Sequence, residues 1–520
     1  MADDQGVTRR TVIGAGAAAL ATVAVSDLFH VTTALAAGPT EGVGYFSRFG
    51  VTEKLLRDTI SQALSKGGDY ADVFFQHRVS NNLALEDGSV NRASANVGLG
   101  VGVRVVKGDQ TGYGFTEDIT ADGLKRAALT AAAIAEGQAK SGPTRFKITG
   151  GKPNRYPVKV KWEDVRPQQK LTLLNGLNEK VFKADGRVKK VNVDFTDQGS
   201  VILIADSNGR IVEDVQPMTV MRLSCVAEQD GRRENNSVNR AARADVGFYT
   251  PDRIDGMVSQ LIDKTMILFD AVQPPAGEMP VVLGAGSSGI LLHEAIGHGM
   301  EADFNRKNAS IYSDKIGKPI AKNFVSIIDE GTQDNARGAL NIDDEGNAVG
   351  RTVLVDKGTL TTYLHDSISA KHYGVKPTGN GRRQGYEHAP LPRMRPTYML
   401  PGPHKRDEIV ASVKKGIYCD HFSNGQVNIG AGDFTFFVKN GYLIEDGKIT
   451  KPIKDVNIIG NGPKVLELID MVGDDLKIDE GGWTCGKDGQ SVPVSQGMPT
   501  VRVASITVGG RATDKGAYRG

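Results

Sequence analysis

Pro280-Val281-Val282-Leu283, then Gly284-Ala285-Gly286-Ser287-Ser288-Gly289, then Ile290-Leu291-Leu292-His293-Glu294-Ala295-Ile296-Gly297-His298-Gly299 is the segment on which the reading of this chain turns. A short apolar run, a glycine-rich turn and an apolar helix follow one another, and the helix carries two histidines and a glutamate. Two readings compete. Gly284, Gly286 and Gly289 match the G-x-G-x-x-G turn that cradles a dinucleotide between strand and helix, which would make the chain a nucleotide-dependent oxidoreductase. That fingerprint also needs a parallel strand ending in an acidic residue about 20 residues on, and none arrives. The stronger reading is a metal site, because a His-Glu pair followed by a second His is how a helix offers two imidazoles and a general base to zinc. The usual i, i+4 spacing leaves the ligands about 40° apart around the helix, whereas the i, i+5 spacing of His293 and His298 puts them about 140° apart. An undistorted helix cannot converge them, so the spacing demands a π-bulge, and Gly297 offers loose backbone where one would be tolerated.

A hydrolytic zinc site keeps three protein ligands and an open position, so a third donor must come from elsewhere. Cys485 is the best candidate, since Asp479-Glu480-Gly481-Gly482-Trp483-Thr484-Cys485-Gly486-Lys487 lets the backbone approach another element closely. Cys419, beside Asp420 and His421, is the runner-up; Cys225 sits in an alternating run and reads as a core thiol. His365, His372, His388 and His404 are further candidates. Glu294 follows the first ligand directly and projects about 100° from it, which suits a base better than a fourth ligand. Glu301 and Asp303 are placed to accept imidazole N–H bonds. Arg382 and Arg383, in a glycine-rich loop, are expected to bind a peptide carboxylate or backbone carbonyls.

Outside this segment the chain reads as α+β. Its 63 Lys and Arg against 61 Asp and Glu leave a formal charge of +2, which excludes a polybasic nucleic-acid footprint. Three cysteines are too few for a disulfide scaffold. Residues 1-36 read as a twin-arginine-type signal: Arg9-Arg10 precede a mildly apolar, Ala- and Gly-rich stretch, and Ala34-Leu35-Ala36 is a small-x-small cleavage site. Export to the periplasm or beyond is the expectation, with no stable membrane span after signal cleavage. An N-terminal α/β domain is expected over 40-145, with helices over Val51 to Lys66 and Leu124 to Ala135. A central β-rich domain follows over 158-272. It begins with a helix around Leu171 to Val181, and Asn208-Gly209 and Asp230-Gly231 mark hairpins between runs such as Val201 to Ala205 and Arg210 to Val215. Pro274-Pro275 opens a C-terminal domain over 277-515, mainly β and carrying the metal-binding helix.

From His293 through Gly299-Met300-Glu301-Ala302-Asp303-Phe304 the chain resembles the TldD/PmbA family of metallopeptidases, on the side that retains the metal motif. Similar stretches recur at Gly379-Asn380-Gly381-Arg382-Arg383, Pro392-Arg393-Met394, Thr397-Tyr398-Met399-Leu400, Tyr442-Leu443-Ile444-Glu445-Asp446-Gly447-Lys448 and Cys485-Gly486-Lys487-Asp488-Gly489-Gln490. The resemblance is strongest from about Gly277 to Gly510. It implies Zn²⁺, one per active subunit, held by His293, His298 and Cys485, with Glu294 as catalytic glutamate. It further implies a peptidase acting on short or unfolded peptides, working as a homodimer or with a PmbA/TldE-like paralogue that lacks the metal motif. The family is mostly cytoplasmic, and the signal-like N-terminus departs from that. The rival reading is a non-catalytic peptide-binding subunit whose metal is structural.

Overall fold

The computed structural model describes residues 43–149, 153–428 and 430–509. The signal-like segment 1-36 lies outside the described residues. The architecture is mixed α and β with several sheets, as the composition and patterning imply. No helix among the described residues is long and apolar enough to cross a membrane.

The first half is one sheet, antiparallel except for the short strand Lys147–Ile148, which pairs parallel with Arg210 and Ile211. Strands β1 (Tyr70–Glu86), β2 (Ser89–Lys107), β3 (Gln110–Thr116), β4 (Val188–Asp206), β5 (Arg210–Gln229) and β6 (Arg232–Ala242) stand in the order β3-β2-β1-β4-β5-β6. Since β1 pairs with β4 from Asp72↔Asp206 to Glu86↔Asn192, the two sequence regions either side of residues 145 to 158 share a sheet. The hairpin signals fall where expected, between β4 and β5 and between β5 and β6. The runs around them are fused into strands longer than the sequence shows. Gly199 and Pro217, residue types that weaken a strand, oppose each other in the β4–β5 ladder. Pro217 lacks an N–H, and β5 takes β6 as a second neighbour only from Thr219 onward, so that missing donor falls where β5 has one partner.

Strand alternation assigns the two faces. Along β1, Ala71, Val73, Phe75 and Val79 face one core with helices α1 (Glu53–Ala63) and α2 (Ala121–Ala132), and Leu83 and Leu85 face a second with α3 (Pro167–Ala184) and α4 (Pro251–Met266). The helices begin at side-chain caps that local sequence supplies: Thr52 accepts from Leu55 N, Thr120 from Gly123 N and Thr250 from Arg253 N. The even residues from Asp72 to Arg78 on β1 meet the C-terminal domain. Phe74 packs against Tyr386, Gln76 Oε1 accepts from Tyr386 N at 3.3 Å, and Asp72 joins a buried ion-pair network.

In the second half, β7 (Gly277–Leu283), β8 (Lys415–Asn428), β9 (Asp433–Glu445), β10 (Lys448–Asn461) and β11 (Val501–Gly509) close a ring, because β10 pairs with β11 as well as with β9. A second six-stranded sheet includes Ile327–Glu330, Pro396–Met399 and Ser495–Met498. The metal-motif helix lies between ring and sheet, with Leu291, Leu292, Ile296 and Met300 in their shared core. Cys225 and Cys419 are buried free thiols, Cys225 3.4 Å from Thr265 Oγ1 and Cys419 in the apolar core where burial pushes its thiol up.

Candidate metal centre

β7 delivers the chain into the glycine turn by two backbone bonds, Gly284 N to Cys419 O and Gly286 N to Met498 O, each 2.9 Å. Gly286 adopts φ +101°, and a Cβ on Gly289 would meet the Gly497 backbone at 2.6 Å. These glycines serve a turn and a close approach between elements, which displaces the dinucleotide reading. Ile290–Leu292 then forms a short α-turn, His293–Gly297 a π-turn, and His298–Met300 a 3-10 turn. The i, i+5 spacing is met by the distortion it requires. Gly297 plays a different part from the one expected. Its backbone is ordinary helix at φ −59°, ψ −50°, and a Cβ there would overlap the Met394 sulfur. Space, not backbone freedom, selects the glycine. The carbonyls loosened by the irregular winding find side chains: Tyr312 Oη donates to Ala295 O at 3.3 Å, and Ser310 Oγ and Asn305 Nδ2 donate to Gly299 O at 2.6 and 2.8 Å.

Cys485 reaches this helix from a hairpin, Thr484–Lys487 against Gln490–Pro493. One donor atom each from His293, His298 and Cys485 lies within 4.8 Å of the others. Cys485 Sγ is 3.3 Å from His298 Nε2, and the imidazole rings stand at 84° with centroids 5.0 Å apart. All three residues are buried, while Glu294 keeps partial solvent access. Burial works against the Cys485 thiolate, but His293 and His298 outweigh it and pull the thiol well below its ordinary range. Burial raises the Glu294 carboxyl, with the two imidazoles opposing. Two imidazoles and a thiolate form a donor set suited to zinc, and three such donors leave room for a water.

The surroundings sort the remaining expectations. Glu301 accepts from His298 Nδ1 at 3.0 Å, which turns Nε2 toward Cys485. Asp303 instead takes Lys487 Nζ at 2.7 Å and touches neither metal-motif imidazole. Lys487, to which the sequence assigns no role, also lies 3.0 Å from Glu301 Oε2. It stands two residues from Cys485 on one strand, hence on the same face. Burial would raise Glu301, but Lys487, His298 and Arg393 hold it at about 2. Arg393 Nη2 donates to Cys485 O at 2.6 Å, a second brace that the sequence left unassigned.

Arg382 and Arg383 are corrected. Glycines around them suggested an accessible loop, yet both are buried. Arg382 does bind backbone carbonyls, but of its own chain: Met394 O at 2.5 Å and Pro493 O at 2.7 Å. Arg383 donates to Asp344 O at 2.9 Å and covers the Phe74 ring at 4.3 Å. Their Nη groups are engaged inside the fold, and neither offers a fork to a substrate. His365, His372, His388, His404 and Cys419 stay outside the three-donor cluster.

Family models described as PmbA/TldA metallopeptidase domain 1, central domain and C-terminal domain match residues 71–135, 161–268 and 276–510. A "Metalloprotease TldD homolog" of Haemophilus influenzae is 40% identical over 85% of this chain and 93% of its own. A "Zinc metalloprotease TldD homolog" of Saccharolobus solfataricus is 28% identical over 87% of this chain and 99% of its own. Among solved structures, TldE from Thermococcus kodakarensis shares the fold at TM-score 0.69 and 18% identity, covering 88% of this chain and 99% of that one. With three matched domains in order and relatives aligned over nearly their whole length, this chain belongs to the TldD/PmbA family of metallopeptidases.

Proposed function

We propose that the chain is a zinc-dependent peptidase that hydrolyses short or unfolded peptides with Glu294 as general base. One observation carries the reading: His293, His298 and Cys485 gather their donor atoms within 4.8 Å, and the neighbouring Glu294 is the motif residue that meets solvent. Among the described residues three donors gather rather than the four of a closed structural site, which favours an enzyme over a non-catalytic subunit. Zinc bound by these residues supplies Lewis acidity, making a water acidic near neutral pH and polarising the scissile carbonyl. Glu294 takes the proton as the water oxygen adds to the carbonyl carbon. It returns that proton to the amide nitrogen as the C–N bond breaks, leaving a carboxylate and an amine. Glu301 keeps His298 in one tautomer, with its Nδ1 proton engaged and Nε2 free to ligate.

Replacing Glu294 with Gln in the zinc-loaded full chain is expected to leave metal content unchanged. Hydrolysis of a mixed pool of unfolded peptides should fall by about 10²–10⁴-fold. Activity equal to the parent's would remove Glu294 from the chemistry.

Two further parts of the reading concern setting. The Arg9-Arg10 segment supports export outside the cytoplasm, to be tested by fractionating cells that express the chain with Arg9 and Arg10 intact or changed to Lys. The shared fold of TldE supports assembly with a TldE-like subunit, to be tested by mass measurement of the natively purified assembly.

A further inference from the structure

On the other side of the hairpin that carries Cys485, two arginines lie where the loop after Ile327–Glu330 meets β5, and no carboxylate answers Arg337 among the described residues. Arg337 is seated on the residues just before the metal ligand. Its Nε donates to Trp483 O at 2.9 Å and its Nη2 to Thr484 Oγ1 at 3.2 Å, while Nη1 finds only the Met218 thioether at 3.2 Å. A thioether is a weak acceptor, so the end of the fork is underused. Arg243, at the end of β6, is 4% exposed. Its guanidinium lies 5.3 Å from the centre of the Tyr156 ring, and its buried Nε has no hydrogen-bond partner among the described residues.

Neither arginine forms an ion pair among the described residues. The carboxylates near enough for Arg243 to influence are engaged elsewhere. Asp214 accepts from the Tyr156 hydroxyl and from Asn341 Nδ2 at 2.9 Å, and Asp344 accepts from Arg383 N at 2.8 Å. Burial and the charge of Arg243 together draw Arg337 down to about 10. Asp214 and Asp344 offset the charge of Arg243, whereas no carboxylate among the described residues offsets Arg337, and a guanidinium with spare N–H donors beside a second one suits an added carboxylate. The place is reached through Arg337, which is half-buried beside the exposed Thr484, while Arg243 lies buried behind it.

We propose that Arg337 and Arg243 bind the C-terminal carboxylate of the peptide, so that the preferred substrates have a free carboxy terminus and cleavage releases short C-terminal fragments. This deepens the peptidase reading and rests on it. Trp483 and Thr484 directly precede Cys485. A carboxylate held at Arg337 therefore lays the last residues of an extended peptide, each spanning about 3.3 Å, beside the strand that supplies the third metal ligand.

The test is a calorimetric titration of the zinc-loaded full chain carrying Glu294→Gln, which binds without cleaving, with two matched unstructured pentapeptides. One ends in a free carboxylate and the other in an amide. The acid should bind at least about tenfold tighter, as expected when a buried charged partner is left unanswered by the amide. Adding Arg337→Gln or, in a second variant, Arg243→Gln should erase that difference, and Arg337→Lys should restore part of it. Equal affinity for acid and amide in the parent, including no measurable binding of either, overturns the carboxylate site, and this comparison needs no arginine variant to fold. Preference for the acid with no cleavage of either peptide by the chain that retains Glu294 would instead end the peptidase reading while the carboxylate site stands.

Discussion

Two regions of this molecule bury charge, and they end differently. Where the N-terminal sheet meets the C-terminal domain, Arg104 donates to Asp72 Oδ2 at 2.7 Å and to Glu345 Oε1 at 2.6 Å. Ser367 gives both its N–H and its hydroxyl to Glu345 Oε2 at 2.7 Å, and Arg383 stands 3.6 Å from Asp72. Burial opposes the charge on Arg104, but Asp72 and Glu345 outweigh it, so the guanidinium is held well above its ordinary range. At the metal centre only one side is closed in this way. Glu301 and Lys487 complete the far edge of His298. On the near edge a thiolate and two imidazoles converge with no lysine or arginine among the described residues in their cluster, and His293 Nδ1 is buried without a hydrogen-bond partner among those residues. A structural tie is a charge cluster whose complement is all present in the chain; a site is one whose complement is missing.

Breaking the closed cluster should have the largest effect on stability. Arg104→Met leaves Glu345 buried without a cation and Asp72 with only Arg383 at 3.6 Å, a loss of about 3–5 kcal/mol in denaturant unfolding. Adding Glu345→Gln should recover part of it, and zinc content per folded chain should stay at the parent's level. Unfolding of Arg104→Met at the parent's denaturant midpoint would show that the network does not hold the two halves together. A smaller effect is expected from opening the closed side of the metal centre. Lys487→Met removes the cation that fixes Glu301, and zinc affinity measured by chelator competition should drop by about 10–100-fold. Unchanged zinc retention would take Lys487 out of the support of the site.

The same contrast explains what could be read from the sequence. His293, Glu294 and His298 were legible because they sit on one turn of chain, and their spacing forces the π-turn that His293–Gly297 adopts. Cys485 was legible from its glycine-rich neighbourhood. Lys487 was not, since a lysine near a turn looks like any solvated lysine until Glu301 and Asp303, far off in sequence, are brought to it. Arg382 and Arg383 were misread for the converse reason: glycines that allow an exposed loop also allow a buried one. Helix α1 was found nearly to its ends, because the spacing of Leu55, Leu56, Ile60 and Leu64 and the stop at Gly67-Gly68 are local signals. The lengths of β4 and β5 were missed because Gly199 and Pro217 break a strand in isolation but not when set against each other at a singly paired stretch. Closure of the ring depends on Asn457 to Ile459 meeting Thr507 to Gly509, a pairing that neither segment announces.

Glu213 sharpens the comparison from a third direction, as a carboxylate sheltered without a cation among the described residues. It lies on β5, its Oε1 accepts from Tyr45 N at 3.1 Å, and burial raises it to about 7 from an ordinary 4.5, with no lysine or arginine opposing. Between those two values the folded chain holds a proton that the unfolded chain has lost. Stability contributed by this group is therefore present below pH 4.5, declines as pH rises, and is gone above about 7. Because Glu213 is only partly buried, solvent screening reduces the effect to about 1 kcal/mol. Glu213→Gln keeps an acceptor for Tyr45 N and removes the titration, so its denaturant midpoint should fall less than the parent's between pH 5 and pH 8, the two differing most at pH 8. Parallel pH profiles would mean that Glu213 ionises in the folded chain as it does in the unfolded one. A sheltered carboxylate would then need neither an internal cation, as Glu345 has, nor neutralisation by a proton, and burial alone would be a weaker marker of a missing complement than the metal centre suggests.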